Sequence, residues 1–271
     1  MDMKTKTETE PVLAERDARG VLRLTLNRPQ NFNALGEEML AALQAALDAV
    51  AKDDGLRVVV LASSGKAFCP GHNLKEMVAP APDVALAYYQ KLFAQCSRMM
   101  LSLQQLPVPV IARVQGIATA AGCQLVAQCD LAVAADDARF ATSGINYGLF
   151  CSTPSVALSR NVGAKQAMEM LLTGDFISAQ QALQHGLVNR VVAADALDAE
   201  IETLVLSILD KPRVAVAMGK ALFYQQRELG TAAAYQLAGQ TMAINMMDPA
   251  AREGVLAFTE KRVPSWRGER G

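Results

Sequence analysis

The chain has 271 residues, of which 51% are apolar, so it is long enough to form one large domain with a sizeable core. Its 26 basic and 27 acidic residues leave a net charge of −1, which lacks the basic excess typical of nucleic-acid-binding proteins. The five cysteines form no C-x-x-C pair, so we expect reduced thiols. The first ten residues are polar, so we expect no signal sequence, and no apolar run is long enough to predict a membrane span. Together these features lead us to expect a cytoplasmic protein.

The first part of the chain predicts strands alternating with helices. Val21–Leu26 alternates apolar and polar residues, as a half-buried strand does, and apolar residues from 39 to 50 recur at helical spacing. Residues 58–61 form a continuous apolar run, which indicates a strand buried on both faces. Residues 65–77 predict a loop that enters a short helix, and residues 88–106 predict a longer helix.

The second part continues this pattern and then becomes helical. Further strands are predicted at Val110–Val114, 131–134, Arg139–Ala141 and 188–192, and a helix opens near Cys123. Helices are also predicted from Thr153, which precedes Pro154, and over residues 164–172 and 178–186. Three or four helices follow Ala196, and Asp248-Pro249 begins the last.

These elements indicate an α/β protein with three regions. Residues 1–11 form a flexible N-terminal tail, and residues 12–195 form the α/β core. Residues 196–271 form a helical region whose apolar faces we expect at an oligomer interface.

Two loops rich in small residues are candidates for chemistry, at 65–77 and 115–125. Each follows a predicted buried strand and enters a helix, so small side chains allow a ligand to approach the backbone closely. Helix N-termini present free N–H groups and a positive dipole end, and two of them aimed at one point stabilise an oxyanion. The pattern alone also fits tight packing of strand against helix.

The order of several motifs resembles the crotonase (enoyl-CoA hydratase/isomerase) superfamily over residues 12–266. The motifs that carry the resemblance are Asn27-Arg28-Pro29 with Asn33-Ala34-Leu35, residues 68–75, the run Gly116…Ala121-Gly122-Cys123-Gln124-Leu125…Cys129-Asp130-Leu131, Thr173-Gly174, Ser178-Ala179, Gly186-Leu187-Val188 and Phe258-x-x-Lys261-Arg262. Residues 144–154 are similar to one subgroup, the enoyl-CoA hydratase domain-containing protein three subgroup, whose animal members are mitochondrial.

The resemblance implies a spiral of ββα units with a C-terminal helical trimerisation region, assembled as a homotrimer or a hexamer. It implies an acyl-CoA thioester as the ligand, with no cofactor beyond that CoA and no metal. By position, the backbone amides of His72 and Ala121 form the oxyanion hole. The residues that match positions along CoA are Ala34, Lys66, Pro70, Leu74 and Lys75, together with Phe258 and Lys261 for the CoA of a neighbouring subunit.

The sequence departs from the family at the residues that perform hydration. The two glutamates that act as acid and base on water fall on Gln124 and Gly144. Glutamine exchanges no proton near neutral pH and glycine has no side chain, while each acid or base typically contributes about 10²–10⁴-fold to the rate. The chain also resembles a decarboxylase of this superfamily, but the tyrosine that orients its carboxylate falls on Cys151, which is a candidate nucleophile or a packed thiol.

Three hypotheses of different classes follow. The first is an acyl-CoA enzyme that stabilises a thioester enolate, nearest to a hydratase-like lyase, with decarboxylation or isomerisation as alternatives. In it, His72 contributes its amide, its imidazole or both. The second is a pseudoenzyme that binds acyl-CoA without turnover. The third, an RNA-binding member, ranks low because no stripe of lysine or arginine is present. If only the carboxylates were lost, Gln124→Glu with Gly144→Glu restores hydration.

Overall fold

Nine strands form two sheets in the computed structural model, which describes residues 10–268. The strands are β1 (Val12–Arg16), β2 (Val21–Leu26), β3 (Val58–Ser63), β4 (Val110–Val114), β5 (Ile117–Thr119), β6 (Leu131–Ala135), β7 (Arg139–Ala141), β8 (Ile177–Ser178) and β9 (Arg190–Val192). The larger sheet has the order β1-β2-β3-β4-β6-β9, and only β1 and β2 are antiparallel within it. The smaller sheet has the order β5-β7-β8.

Twelve α-helices lie in the described part of the chain. They are α1 (Glu37–Val50), α2 (Leu74–Met77), α3 (Pro82–Gln105), α4 (Ala121–Gln128), α5 (Ser152–Leu158), α6 (Ala164–Thr173), α7 (Ala179–Gln184), α8 (Leu197–Leu209), α9 (Arg213–Gln226), α10 (Thr231–Met246), α11 (Pro249–Thr259) and α12 (Ser265–Gly268). Short 3-10 helices occupy Pro29–Asn31, Ser143–Tyr147 and Ala194–Ala196. The predicted α/β class is confirmed.

The strand and helix patterns have the expected physical basis. All six residues of β3 are buried, as its continuous apolar run predicts. In α1 the buried residues are Met39, Leu40, Leu43, Leu47 and Val50, which lie on one helical stripe. The other face of the larger sheet packs against α8, through a cluster that joins Val58, Ile111 and Val133 to Leu197 and Ile201.

Several predicted boundaries differ from the structure. Helix α3 begins at Pro82 rather than residue 88, because proline at the first helical position is compatible with a helix start. The stretch 116–122 contains strand β5, which pairs with β7 in spite of its small side chains. Helix α5 begins at Ser152, one residue before Thr153, and no side chain caps it. The prediction that the helix at Pro249 is the last is wrong, because α12 follows it.

The C-terminal helices are anchored by one buried ionic group. Lys220 on α9 is 9% exposed, and its ammonium donates to the carbonyls of Leu103 and Val108 and to the carboxylate of Asp130. Tyr224 donates its hydroxyl to the same carboxylate at 2.8 Å. Because every donor and acceptor of this group is paired, it fixes α9 against the end of α3 and the start of β4.

The ends of the chain limit two predictions. Residues 1–9 of the predicted tail 1–11 lie outside the described residues, and β1 begins at Val12. Beyond β9 the described chain is helical to residue 268, and α10 buries none of its residues in the single chain.

Candidate functional site

A cavity of about 650 Å³ lies at the carboxyl ends of β3 and β4 and is called the main cavity below. Eight of the predicted site residues line it: Ala34, Pro70, His72, Leu74, Lys75, Ala121, Gly144 and Cys151. They come from four separate segments, which the parallel strands bring to one edge of the sheet.

The two small-residue loops meet in the wall of the main cavity. The amide of Cys69 donates to the carbonyl of Ile117 at 3.1 Å, and the amide of Thr119 donates back to the carbonyl of Cys69 at 3.0 Å. A Cβ on Gly122 would collide with the carbonyl oxygen of Cys69. A Cβ on Gly71 would lie 3.1 Å from the amide nitrogen of Ala121. Glycine is therefore required at both positions so that the first loop reaches the start of α4.

The backbone amides of His72 and Ala121 are unused. Within residues 10–268, neither N–H donates to a backbone or side-chain acceptor. Both residues line the main cavity, and Ala121 is the first residue of α4, where the helix dipole is positive. Two free donors beside the same cavity can donate hydrogen bonds to one anionic oxygen of a ligand.

The residue before this helix is held in an unusual conformation. Ala120 has φ of 50° and ψ of −121°, a region that non-glycine residues seldom occupy. Its amide donates to the carbonyl of Ala141 at 3.0 Å, and it lines the main cavity. Such a conformation costs roughly 1–3 kcal/mol and persists only where the surroundings enforce it. Here it turns the chain so that the next amide, of Ala121, remains unpaired.

The imidazole of His72 is neutral, and only one of its two ring nitrogens is hydrogen-bonded within the described chain. Its Nδ1 lies 3.1 Å from the carbonyl oxygen of Leu35, and because a carbonyl only accepts, Nδ1 carries the proton. Burial lowers the pKa of the ring below its ordinary value. Nε2 is buried with no partner among the described residues, and the edge of the ring contacts Phe93. The lone pair of Nε2 is therefore unpaired, and the atom is shielded from solvent in the single chain.

Asn73 and Glu76 position the loop that carries His72. The Asn73 side chain caps α2 by accepting from the amide of Lys75, and it donates to the carboxylate of Glu76 at 2.7 Å. The other oxygen of that carboxylate accepts from the amide of Glu37 at 3.0 Å. These contacts connect the loop to the N-terminus of α1, so Asn73 has a structural role in holding this loop.

The place of the second family glutamate is filled. A Cβ built on Gly144 would lie 2.5 Å from the carbonyl oxygen of Leu149 and 2.8 Å from Sγ of Cys151. The amide of Leu149 donates to the carbonyl of Gly144 at 3.0 Å, which closes this tight turn. Burial raises the pKa of the Cys151 thiol, so this cysteine is a packed thiol rather than an activated nucleophile.

Gln124 is the one predicted catalytic residue that does not line the main cavity. Its side chain lines a second cavity of about 420 Å³, between α3, α4, α5 and α9. Gln124 lies one helical turn further along the same side of α4 than Ala121, so its side chain is displaced by about 4.5 Å along the helix axis and meets the second cavity instead.

Three of the residues predicted to contact CoA also lie outside the main cavity. Lys66 is exposed on the loop that leads to it. Phe258 is 84% exposed, and Lys261 follows the end of α11 with a positive φ of 57°. Their expected contacts with a neighbouring subunit lie beyond the single chain described here.

Two cavity residues carry no signal in the sequence. Phe93 lies on α3 among other apolar residues at helical spacing, which indicates a core residue as readily as a site residue. Ser143, in the 3-10 helix after β7, shares a hydrogen bond of 2.8 Å with the hydroxyl of Thr119 at the end of β5. In the sequence, the only indication of this contact is Thr119, a polar residue within the small-residue stretch 116–122.

The charges around the main cavity limit its chemistry. The residues that line it include no aspartate or glutamate, and the titratable side chains are His72, Lys75, Tyr147 and Cys151. Within residues 10–268, no group of three or more His, Cys, Asp and Glu side chains is placed to hold a metal ion. No helix in that part of the chain is long and apolar enough to cross a membrane.

Comparison with known proteins agrees with this architecture. Residues 16–269 match the model of the enoyl-CoA hydratase/isomerase family. The mitochondrial enoyl-CoA hydratase domain-containing protein 3 of Xenopus laevis is 45% identical over 94% of this chain and 86% of its own length. The human protein of the same name is 43% identical over 98% of this chain and 86% of its own length.

Solved structures show the same fold. A Mycobacterium smegmatis enoyl-CoA hydratase superposes with a TM-score of 0.92 at 66% identity, covering 95% of this chain and 99% of that one. Human enoyl-CoA hydratase domain-containing protein 3 superposes with a TM-score of 0.89 at 43% identity, covering 94% and 100%. The predicted crotonase-like fold and the similarity to the domain-containing protein three subgroup are both confirmed.

One prediction is corrected by the same comparison. The relatives from Xenopus laevis, mouse and human are named as mitochondrial proteins, so the predicted cytoplasmic location is wrong. That prediction depended on the polar character of the first ten residues, of which residues 1–9 lie outside the described structure.

Proposed function

Because the chain belongs to the enoyl-CoA hydratase/isomerase family, we propose that it binds an acyl-CoA thioester in the main cavity and stabilises the enolate of that thioester at the amides of His72 and Ala121. The observation that carries this proposal is the pair of backbone N–H groups beside one cavity that have no partner among the described residues. A thioester enolate has its negative charge on oxygen, and preorganised donors stabilise that charge without having to reorient.

The CoA part of the ligand has an exposed route to the cavity. Leu74 is 55% exposed, and Lys75 is exposed on the short helix at the rim, with Lys66 on the same loop. Ammonium groups at such positions suit the phosphates of CoA. We place Ala34 and Pro70 along the pantetheine, because both line the main cavity.

The exposed apolar surface of the C-terminal helices supports a proposal about assembly with further copies of the chain. Large apolar side chains are exposed on α10 and α11, among them Tyr235, Met242, Ile244 and Phe258. Burying such side chains stabilises an assembly by about 25 cal/mol per Å² of apolar surface. We propose that they form the contacts of a homotrimer or hexamer, in which Phe258 and Lys261 approach the CoA of the neighbouring subunit.

Hydration by a pair of carboxylates is not the reaction we propose. Two carboxylates are needed to activate water and to protonate the product, whereas the main cavity has none and the place for one is filled at Gly144. The reactions that remain compatible with this cavity are those that form a thioester enolate without activating water. Isomerisation is one of them, because it needs only one base.

The base in that reaction is His72. In a proton shift along an unsaturated acyl chain, Nε2 accepts a proton from carbon and the bonding electrons move to the thioester oxygen. The resulting imidazolium returns the same proton to a different carbon, and the electrons leave the oxygen. The Nδ1–H bond to Leu35 holds the ring in the tautomer that this requires, and burial keeps the ring neutral.

The oxyanion hole is tested by removing one amide. Ala121→Pro deletes that N–H at the first position of α4. Because the residue before a proline prefers extended backbone, which Ala120 does not have, Tm is measured on the same sample. Ala164→Pro is the matched control, because Ala164 is the first residue of α6 and does not line the main cavity. The Ala121 variant should lose about 10²–10³-fold in turnover of any accepted thioester. Unchanged turnover in a variant with the wild-type Tm refutes the proposal.

The reaction is tested with two substrates. We expect no hydration of crotonyl-CoA and conversion of a β,γ-unsaturated acyl-CoA to its conjugated isomer, followed by ultraviolet absorbance. His72→Asn should abolish isomerisation while keeping a donor towards Leu35. Fast hydration by the wild type refutes the exclusion of hydratase chemistry. Tight thioester binding with no turnover across a broad panel points instead to an acyl-CoA-binding pseudoenzyme.

A further inference from the structure

A pair of hydroxyl groups lies in the wall of the main cavity beside the proposed oxyanion site. The hydroxyls of Thr119 and Ser143 are 2.8 Å apart and share one hydrogen bond, and both residues line the main cavity. Thr119 stands two residues before Ala121, whose amide has no partner among residues 10–268, and Ser143 directly precedes Gly144. The pair is therefore close in the chain to groups that line the same cavity, and the isomerisation does not use it.

Both hydroxyls are held in place by anchored backbone. Thr119 is the last residue of β5, lies opposite Ala141 of β7, and donates its amide to the carbonyl of Cys69 at 3.0 Å. Ser143 follows Thr142, which is fully buried and donates its hydroxyl to a backbone carbonyl of α6 at 2.7 Å. The Thr119 side chain is itself 8% exposed. Because strand pairing and buried hydrogen bonds fix both segments, the two hydroxyls are preorganised towards a ligand.

The hydroxyl pair has one more proton than its internal hydrogen bond uses. Each hydroxyl carries one proton and two lone pairs, and a single proton lies between the two oxygens. Among the described residues, no other hydrogen bond involves Oγ1 of Thr119 or Oγ of Ser143. One O–H group at the cavity wall is therefore left to donate. A ligand atom that accepts this hydrogen bond is favoured over an apolar one, because an unpaired buried donor loses the hydrogen bond that it makes in water.

The position of this donor selects an oxygen close to the thioester carbonyl. The α-carbons of Thr119 and Ala121 are two residues apart, which is at most about 7 Å. Two ligand oxygens held by the hydroxyl pair and by the Ala121 amide therefore belong to neighbouring carbons of one acyl group. An oxygen on the third carbon also shares the negative charge of the enolate by conjugation, so a donor there stabilises the same charge as the two amides.

The charge of the cavity favours a carbonyl over a carboxylate at this place. Lys75 is the one lysine or arginine among the described residues that line the main cavity, and we assign it to the phosphates of CoA. A buried carboxylate needs a cationic partner, whereas a neutral carbonyl needs one hydrogen-bond donor. The hydroxyl pair supplies that single donor.

We propose that the hydroxyl pair of Thr119 and Ser143 is a specificity determinant for an oxygen acceptor on the third carbon, so that the preferred ligands are 3-oxoacyl-CoA thioesters. This inference rests on the proposed acyl-CoA function and names the ligand class of the same site. In the enolate of such a thioester, the amides of His72 and Ala121 bind the thioester oxygen and the remaining O–H binds the 3-oxo oxygen.

The experiment compares thioesters with the same four-carbon acyl chain. Kd is measured by calorimetry on the full-length protein for acetoacetyl-CoA, butyryl-CoA and 3-hydroxybutyryl-CoA. Acetoacetyl-CoA should bind about tenfold more tightly than butyryl-CoA, as one additional hydrogen bond predicts. It should also bind more tightly than 3-hydroxybutyryl-CoA, whose hydroxyl carries no enolate charge.

A double variant assigns this preference to the hydroxyl pair. Thr119→Val with Ser143→Ala removes both hydroxyls and should reduce the ratio of the two Kd values towards one. Each single variant leaves one hydroxyl that can donate and should keep most of the preference. Ser155→Ala is the matched control, because Ser155 lies on α5 outside the main cavity and donates to the carbonyl of Ser152, and it should preserve the ratio.

Each outcome separates the two proposals. Equal binding of acetoacetyl-CoA and butyryl-CoA by the wild type overturns this inference while the acyl-CoA function stands, and this comparison does not depend on the folding of any variant. If none of the three thioesters binds, both proposals fail. A preference that persists in a double variant with the wild-type Tm shows that the amides alone account for it, and tightest binding of 3-hydroxybutyryl-CoA shows that the pair accepts rather than donates. Either result also overturns the inference.

Discussion

Placing a carboxylate back at position 144 should not restore hydration, because the backbone there has no room for a side chain. The perturbation is Gly144→Glu, alone and with Gln124→Glu. A Cβ at residue 144 meets the carbonyl oxygen of Leu149 at 2.5 Å and Sγ of Cys151 at 2.8 Å. Contacts this short must be relieved by movement of the turn, since the carbonyl oxygen belongs to the backbone.

The structural cost can be bounded. Insertion of extra atoms into a packed site destabilises a protein by about 1–3 kcal/mol. With about 2–4 °C of Tm per kcal/mol for a chain of this size, we expect Gly144→Glu to lower Tm by roughly 2–12 °C. The second carboxylate, at Gln124→Glu, would enter the second cavity rather than the main one. The two carboxylates therefore would not act on one water molecule.

The assay is the loss of conjugated enone absorbance of crotonyl-CoA, with Tm measured on the same samples. Gly219→Ala is the matched control, because no atom lies within 4 Å of a Cβ built there, and it should raise stability by about 0.5–1 kcal/mol. We expect the double variant to hydrate no faster than the wild type. Rapid hydration by a double variant with the wild-type Tm would refute the steric reasoning and revive the idea that only the carboxylates were lost.

Three further predictions test the scaffold around the site. Ala120→Gly should raise the free energy of unfolding by about 1 kcal/mol in denaturant titrations, because Ala120 has a φ of 50°. Lys220→Met should lower it by about 3–5 kcal/mol, because the carboxylate of Asp130 loses its buried cationic partner, and adding Asp130→Asn should recover part of the loss. The pKa of Asp198 is lowered, first by its hydrogen bond to Arg113, so its contribution is present above the ordinary value of 3.8 and lost as pH falls below it. Asp198→Asn should thus be less stable than the wild type at pH 7, and the difference should shrink in acid.

Much of the fold is predictable because it follows from local patterns. The alternation of Val21–Leu26, the buried run at β3 and the helical spacing in α1 each appear in a short stretch of sequence. The sequence does not predict strand β5, because three residues among small side chains carry no periodicity, and the strand forms through its pairing with β7. The start of α3 was placed too late because its first turn is largely exposed and carries no apolar stripe.

The sequence by itself determined the α/β class, the family and most of the segments that line the main cavity, since strand and helix periodicity and motif order are properties of the linear chain. Only the tertiary structure decided which backbone amides and side chains of these segments face the main cavity and which of them are hydrogen-bonded. It left the amides of His72 and Ala121 without partners, filled the space beside Gly144, and directed Gln124 into a different cavity. These outcomes depend on which atoms of distant segments occupy neighbouring space. A residue type at a family position does not specify that, because the direction of a side chain is set by the turn that precedes it and by the atoms packed around it.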